Sequence, residues 1–380
     1  MLRTILLAST AIAWTGSAFA VDETYRTEGP SIAVQTVADG LVEPWAIAFL
    51  PDGGMLVTEK AGNLRRVSTE GEVSEPLAGV PEVDARGQGG LLDVALDPAF
   101  AENRLVYLTY SEAGDGGNGT AVARGRLSSD LKGLEDVEVI FQQMPKVAST
   151  AHFGSRLAFS PDGHLFVTLG ERSSAQFRTQ AQDLDSHLGK IVRINPDGSV
   201  PDDNPFVGQD GAKPEIYAYG IRNPQAAAIN PATGELWEIE HGPKGGDELN
   251  IIRPGQNYGW PVVSLGVNYN DTPVGDGLKQ KDGMVDAIYS WTPVIAPSGM
   301  IFYAGDAFPD WKGDLFVGGL RATALVRLDV DGDRIVAEER LIEDLGQRIR
   351  DVAQGPDGAI YVATDSETGE ILRIAPAGTN

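Results

Sequence analysis

The chain is predicted to be all-β, a six-bladed β-propeller built from four-stranded antiparallel sheets. Two observations carry this. A tight turn followed by a short apolar strand recurs six times between residues 51 and 364. After several copies a second polar turn leads into a further strand. Amphipathic helical runs are scarce, and only residues 178–188 have room for a turn or two.

Taken in order, residues 1–20 stand apart. Arg3 gives a positive start, Ile5 to Trp14 is mostly apolar, and Ala18-Phe19-Ala20 is a small-x-small cleavage site before Val21. This is the pattern of a secretory signal peptide. The apolar run is too short for a comfortable membrane span, and no other stretch reaches its length. The mature chain, 21–380, is expected to be a single propeller domain, periplasmic or secreted, with no membrane insertion, as a monomer or homodimer. The early strand Ser31 to Val37 is expected to pair with the last blade and close the ring.

The six units follow. Pro51-Asp52-Gly53 precedes M-L-V-T-E, Asp97-Pro98 leads to L-V-Y-L-T-Y, and Pro161-Asp162-Gly163 precedes L-F-V-T-L. Pro231-Ala232-Thr233-Gly234 precedes L-W-E-I-E, Trp311-Lys312-Gly313-Asp314 precedes L-F-V-G-G, and Pro356-Asp357-Gly358 precedes I-Y-V-A-T. The additional strands are N-L-R-R-V (63–67), K-I-V-R-I (190–194), A-L-V-R-L (324–328) and E-I-L-R-I (370–374). Spacing is about 46 residues at both ends and longer in the middle, so blades three to five carry long loops, where function usually sits. A β-sandwich is the competing architecture, but six similar units argue against two sheets. Two motifs are decoys. Gly114 to Gly119 fits G-x-G-x-x-G, yet a strand rather than a helix follows, so it is a hairpin loop. Asp329 to Asp333 starts like an EF-hand loop, but its glycine is misplaced and no helices flank it.

Composition narrows the function. There is no cysteine, which excludes disulfides and any Cys-based zinc or haem site. Net charge is −24, and −25 once Arg3 leaves with residues 1–20. Such a chain repels nucleic acid and anionic membranes, and offers many oxygens to Ca²⁺.

Against that acidity a few groups stand out. His152 precedes and Glu171 follows the two strands around Pro161-Asp162-Gly163, and a hairpin brings its ends together. A carboxylate beside an imidazole is the layout of a general base, and an ionised Glu171 is expected to raise the imidazole pKa. From the hairpin alone, two polar loop residues facing water are the simpler account; the rest of the chain reverses that preference. Arg348 and Arg350 alternate along an extended segment, Arg222-Asn223-Pro224 follows I-Y-A-Y-G, and Arg321 follows L-F-V-G-G. Singly, each is a solvated surface arginine. Together at blade edges they suit a polyanion, because guanidinium grips carboxylates in bidentate fashion. Residues 238–260 are a turn-rich insertion in which Gly242-Pro243 exposes carbonyls and Glu240, Asp247 and Glu248 add carboxylates. That suits Ca²⁺, and an ordinary acidic loop accounts for it equally well. Gln88 lies between glycines, where it can offer an amide to a ligand or simply make a turn.

These segments include G-Q-G-G-L-L, H-F-G-S-R-L, L-G-K-I-V-R-I-N-P-D-G-S-V-P-D-D-N-P, G-I-R-N-P-Q, E-H-G-P-K-G-G-D-E-L-N, N-Y-G-W-P and R-I-R-D-V. Jointly they are very specific. Over roughly residues 40 to 376 the chain resembles the soluble quinoprotein glucose/sorbosone dehydrogenases, most closely the compact aldose sugar dehydrogenases of bacterial periplasms. The resemblance implies a six-bladed propeller that binds pyrroloquinoline quinone (PQQ) with Ca²⁺ and oxidises the anomeric carbon of aldoses. Electrons then pass to an acceptor the sequence does not identify. It implies that Gln88, Arg222, Asn223, Arg321, Arg348 and Arg350 bind the quinone. It implies that the Gly242 and Pro243 carbonyls bind calcium, that His152 is the base, and that Glu248 and Tyr258 contact a structural calcium. Two departures from the glucose dehydrogenases are Glu171 in place of aspartate and Arg321 in place of lysine; the first moves the base, the second alters hydrogen-bond geometry. The competing readings are a calcium-dependent propeller hydrolase, such as a lactonase, and a propeller that only binds.

Overall fold

The structure, a computed structural model, describes residues 21–378; the expected signal peptide lies outside them. Two N-terminal strands, β1 (Asp22–Tyr25) and β2 (Ile32–Leu41), precede the repeating units. Blade one is β3 (Pro44–Phe49), β4 (Met55–Glu59) and β5 (Asn63–Val67). Blade two is β6 (Leu91–Leu96), β7 (Leu105–Gly114), β8 (Gly117–Leu127) and β9 (Leu134–Gln142). Blade three is β10 (Gly154–Phe159), β11 (Leu165–Leu169), β12 (Lys190–Ile194) and β13 (Ile216–Tyr219). Blade four is β14 (Pro224–Ile229), β15 (Leu236–Glu240), β16 (Asp247–Ile252) and β17 (Tyr289–Trp291). Blade five is β18 (Pro297–Phe302), β19 (Leu315–Gly319), β20 (Ala324–Asp331) and β21 (Arg334–Leu341). Blade six begins with β22 (Ile349–Gln354), β23 (Ile360–Thr364) and β24 (Gly369–Pro376).

All six expected turns join the first strand of a blade to the second; after Asp97-Pro98 one helical turn, Phe100–Asn103, is added. The ring closes as expected: β2 pairs antiparallel with β24, and β1 lies on its outer edge. Blade six therefore has five strands and blade one only three, while the other four blades have the expected four. Both decoys are hairpin turns, with Gly114 opposite Gly117 and Asp331 opposite Arg334. Residues 178–182 form a short 3₁₀ turn.

The first strands of the blades, β3, β6, β10, β14, β18 and β22, touch one another in ring order, and β22 meets β3. Apolar faces of adjacent blades make the core, as where Trp237 packs edge-on against Phe302 at 5.2 Å. All six inner strands share one irregularity. Each has a register shift at its first residues: Pro44/Ala46, Leu91/Val94, Gly154/Leu157, Pro224/Ala226, Pro297/Met300 and Ile349/Asp351. A bulge bends a strand and re-aims its side chains. Six bulges at one end of the ring turn six short segments toward a common axis.

Arg156 ties this end together. Its Nη1 lies 3.0 Å from Asp93 Oδ1 and 2.9 Å from Asp351 Oδ1, with all three residues buried. Its guanidinium sits 4.3 Å from the centre of the Trp45 ring. The two aspartates also accept backbone N–H groups of Leu157 and Ile47, so blades one, two, three and six meet in one network.

Candidate active site

The bulged strand ends open onto a cavity of about 360 Å³. Its lining includes Trp45, Gln88, His152, Arg222, Asn223 and Arg350. The structure thus brings together residues from blades one, three, four and six and from the loop before blade two.

The hairpin sets the base. His152 Nδ1 is 2.6 Å from Glu171 Oε1, and both side chains are buried. His152 holds a left-handed backbone, φ 52°, an uncommon conformation for a non-glycine residue. Several groups enforce it. Gln88 Oε1 accepts the His152 N–H at 2.8 Å, and Asn223 Oδ1 accepts the Gly154 N–H at 3.1 Å. Buried Arg172 donates from Nε to the Ala151 carbonyl at 3.0 Å, and stacks 3.9 Å from the Phe153 ring centre. With Nδ1 engaged by Glu171, Nε2 is the ring nitrogen left for chemistry.

The electrostatics correct one expectation. His152 sits well below the ordinary imidazole value, first because it is buried and then because Arg222 and Arg172 are near. Burial likewise pushes Glu171 up to about 7, against the pull of Arg222. Glu171 was expected to raise the imidazole; desolvation and two guanidinium groups outweigh it. The imidazole is accordingly neutral at neutral pH, the form a base needs.

The cationic groups are graded by depth. Arg222 is buried, donates from Nη1 to the His241 and Gly242 carbonyls at 2.6 and 2.9 Å, and leaves Nε buried without a partner. Arg350 donates to Asp365 Oδ1 at 2.9 Å and to Gln225 Oε1 at 3.1 Å. Arg348, exposed at the rim, shares the same Asp365 through Oδ2 at 2.7 Å. Arg321 is exposed, and it is its neighbour Leu320 that lines the cavity. The amide groups are oriented usefully. Gln88 and Asn223 give their oxygens to backbone N–H groups, which leaves their NH₂ groups as donors. Orphaned Arg222 Nε, the arginine set and these amides form a donor-rich chamber, which fits a planar polycarboxylate bearing carbonyls.

Gly242 lines this chamber and also a second, much smaller cavity of about 10 Å³, enough for one water-sized particle. Pro243, Glu240, Glu248 and Tyr258 line the smaller one. Buried Asp247 shapes the loop, accepting the Gly242 N–H at 2.8 Å and the Ala296 N–H at 2.9 Å. Only glycine fits at 242, because an added Cβ would lie 2.2 Å from the Gly246 carbonyl oxygen. Burial raises Glu240 well above the ordinary value, with Glu238 and Glu248 adding to it, and raises Glu248 to about 7. Glu240 and Glu248 line the smaller cavity beside the Gly242-Pro243 segment, and oxygen donors are what a hard cation takes, while among the described residues no three acidic or histidine side chains cluster to hold a metal by themselves. The Tyr258 hydroxyl is engaged by Ile251 and Arg253.

The model of the glucose/sorbosone dehydrogenase family matches residues 41–373. The chain belongs to that family. It is 48% identical over 349 residues to an aldose sugar dehydrogenase of Escherichia coli, covering 91% of this chain and 93% of that one. The apo-form crystal structure of the soluble aldose sugar dehydrogenase from Escherichia coli superposes with a TM-score of 0.88 at 47% identity, over 91% and 100% of the two chains. The PQQ-bound aldose sugar dehydrogenase of Streptomyces coelicolor superposes with a TM-score of 0.72 at 28% identity, over 91% and 100%.

In this glucose/sorbosone dehydrogenase, the lining residues that went unread in the sequence include Trp45, Gln225 and Asp365, with Glu43, Lys60 and Tyr269. The first two stand in the bulged starts of inner strands, like Arg350. Alignment of the six repeats on their inner strands could have found them. Asp365, just past β23, carries no such signal.

Proposed function

We propose that this chain oxidises aldoses at the anomeric carbon to the lactone, using PQQ and Ca²⁺, with His152 as general base. The observation that carries the reading is the buried His152–Glu171 pair opening onto the same chamber as Arg222 and Arg350. Gln88, Arg222, Asn223, Arg348 and Arg350 would hold the quinone's carboxylates and carbonyls, with exposed Arg321, next to the lining Leu320, reaching in from outside. The Gly242 and Pro243 carbonyls would hold the calcium beside it, and Glu248 and Tyr258 a structural one. Bound there, PQQ would supply a hydride acceptor and Ca²⁺ a positive charge beside it. His152 Nε2 takes the proton from the anomeric hydroxyl as that carbon loses its hydride, and Glu171 keeps the ring turned. Asp365 pre-aligns Arg348 and Arg350 before any ligand arrives, which lowers the ordering cost of binding.

The surrounding expectations join the proposal: a single propeller domain over 21–380, export through residues 1–20, and an unidentified electron acceptor. Among the described residues no helix is long and apolar enough to cross a membrane.

Purified quinone-free protein should oxidise aldoses only when given both PQQ and Ca²⁺, with an artificial electron acceptor as readout. Chelation should abolish the activity. Full activity with neither added, or lactone hydrolysis with Ca²⁺ alone, would overturn the reading. A second expectation concerns the rim. Arg350→Ala should weaken quinone binding by roughly 1.5–3 kcal/mol, the scale of a charge-assisted hydrogen bond. Apoprotein stability should change less, because Asp365 keeps Arg348 as its partner. Quinone titration and thermal unfolding of the apoprotein check both halves; unchanged affinity with a large stability loss would make Arg350 structural.

A further inference from the structure

We propose that Tyr269 is the platform against which the sugar ring lies. This rests on the dehydrogenase reading above and adds to it the face of the substrate that is recognised. Among the described large hydrophobic residues Tyr269 is the most exposed, at 74%, against 54% for Val336, the next. It is also a lining residue of the chamber. An aromatic ring left in water at a cavity mouth is a surface waiting for an apolar partner.

The turn that presents it is fixed. It belongs to the long segment between β16 and β17. Asn268 N–H donates to Thr272 O at 2.9 Å, Asp271 N–H donates to Asn268 O at 2.9 Å, and Asn268 Nδ2 donates to Pro273 O at 2.7 Å. Two outside anchors hold the turn. On one side Lys244 and Val267 exchange backbone hydrogen bonds, and the Lys244 ammonium pairs with Asp271. This fastens the turn to the Gly242-Pro243 loop. On the other side Arg178 Nη1 donates to Asn268 Oδ1 at 3.1 Å, which fastens it to the segment that follows Glu171. The turn that carries the tyrosine therefore bridges the carbonyl loop and the segment after Glu171.

Depth decides which ligand it meets. The chamber's inner wall is buried and polar, with the cationic Arg222 beside neutral His152, Asn223 and Trp45. That wall suits a planar polyanion. Tyr269 is uncharged and lies at the solvent end, so it meets what enters last. A pyranose has one face of C–H groups and a rim of hydroxyls. The tyrosine ring covers the first, which selects for a sugar ring without reading each hydroxyl.

The test uses holoprotein and the variants Tyr269→Ala and Tyr269→Phe. It measures KM and kcat for glucose, the Kd of anhydroglucitol, which lacks the anomeric hydroxyl, and the Kd of the quinone. Tyr269→Ala should raise KM and the anhydroglucitol Kd roughly 3–10-fold, the scale of one aromatic contact. Its kcat and quinone Kd should stay within about twofold, and Tyr269→Phe should match the parent on that same scale. An alanine variant with unchanged KM and Kd, or one that loses quinone as much as sugar, overturns the platform alone. A parent enzyme that oxidises no aldose overturns the dehydrogenase reading, and the platform with it.

Discussion

Replacing His152 with alanine is expected to lower turnover by roughly two to four orders of magnitude, the range for losing a general base. Quinone binding should persist, because the arginines and amides remain. The argument starts from burial. The imidazole is held 2.6 Å from Glu171 with both groups buried. Burial and the nearby Arg222 and Arg172 keep it well below the ordinary imidazole value, so it is neutral across the neutral range. Glu171 is pushed up to about 7 by the same burial. As pH falls through that value Glu171 takes a proton and stops accepting from Nδ1–H, and further acid charges the ring. The acidic limb of the rate profile therefore belongs to the pair. Glu171→Gln removes the carboxylate titration and the negative charge that favoured imidazolium. Its limb should move to lower pH, and its plateau should fall because the ring is less well oriented. A His152→Ala enzyme with near-normal turnover would move the base elsewhere. His241 would be examined next, since it lines the same chamber with Nε2 3.3 Å from Gln225 Oε1.

The blades were legible because their turns are local chemistry. Pro-Asp-Gly presets one backbone conformation and permits another, and every copy proved to be the link between a blade's first two strands. His152 and Glu171 were legible for a related reason, since a hairpin converts 19 positions of sequence into contact. The sign of the imidazole shift was not. It depends on Arg222 and on how deep the hairpin's end lies, and neither is written in residues 152–171. Trp45 and Gln225 were missed because bulges, not composition, turn them inward. Gln88 shows the limit differently. Its amide was read as a ligand group, but its oxygen already holds the His152 N–H, so the residue also positions the base. The uneven blades, three strands first and five last, follow from the N-terminal pair crossing the seam. That crossing is legible in Ser31 to Val37.

Arg156→Leu is expected to destabilise the protein by ~3–5 kcal/mol at neutral pH, the cost of breaking a buried ion pair from one side. The variant leaves Asp93 and Asp351 facing each other in the core without the guanidinium that lies within 3.0 Å of both. Burial already raises both carboxyls, Asp351 to about 6, and the attraction of Arg156 opposes that rise. Without Arg156 both should rise further. A carboxyl raised in the fold stabilises it below its unfolded value, about 4, and that contribution is lost as pH climbs through the folded value. The deficit of Arg156→Leu relative to the parent should therefore be largest near pH 8 and shrink toward pH 5, as the two carboxyls protonate. Urea unfolding at both pH values measures it. Adding Asp93→Asn and Asp351→Asn to the variant should recover part of the loss at pH 8 by removing the unpaired charges. A deficit equal at pH 8 and pH 5 would assign the loss to packing of the arginine against Trp45 instead. The same substitution should loosen the chamber, because Arg156 donates from Nε to the Gln225 carbonyl at 2.8 Å and from Nη2 to the Arg350 carbonyl at 3.3 Å. Quinone affinity should then fall even though Arg156 is not among the residues lining the chamber.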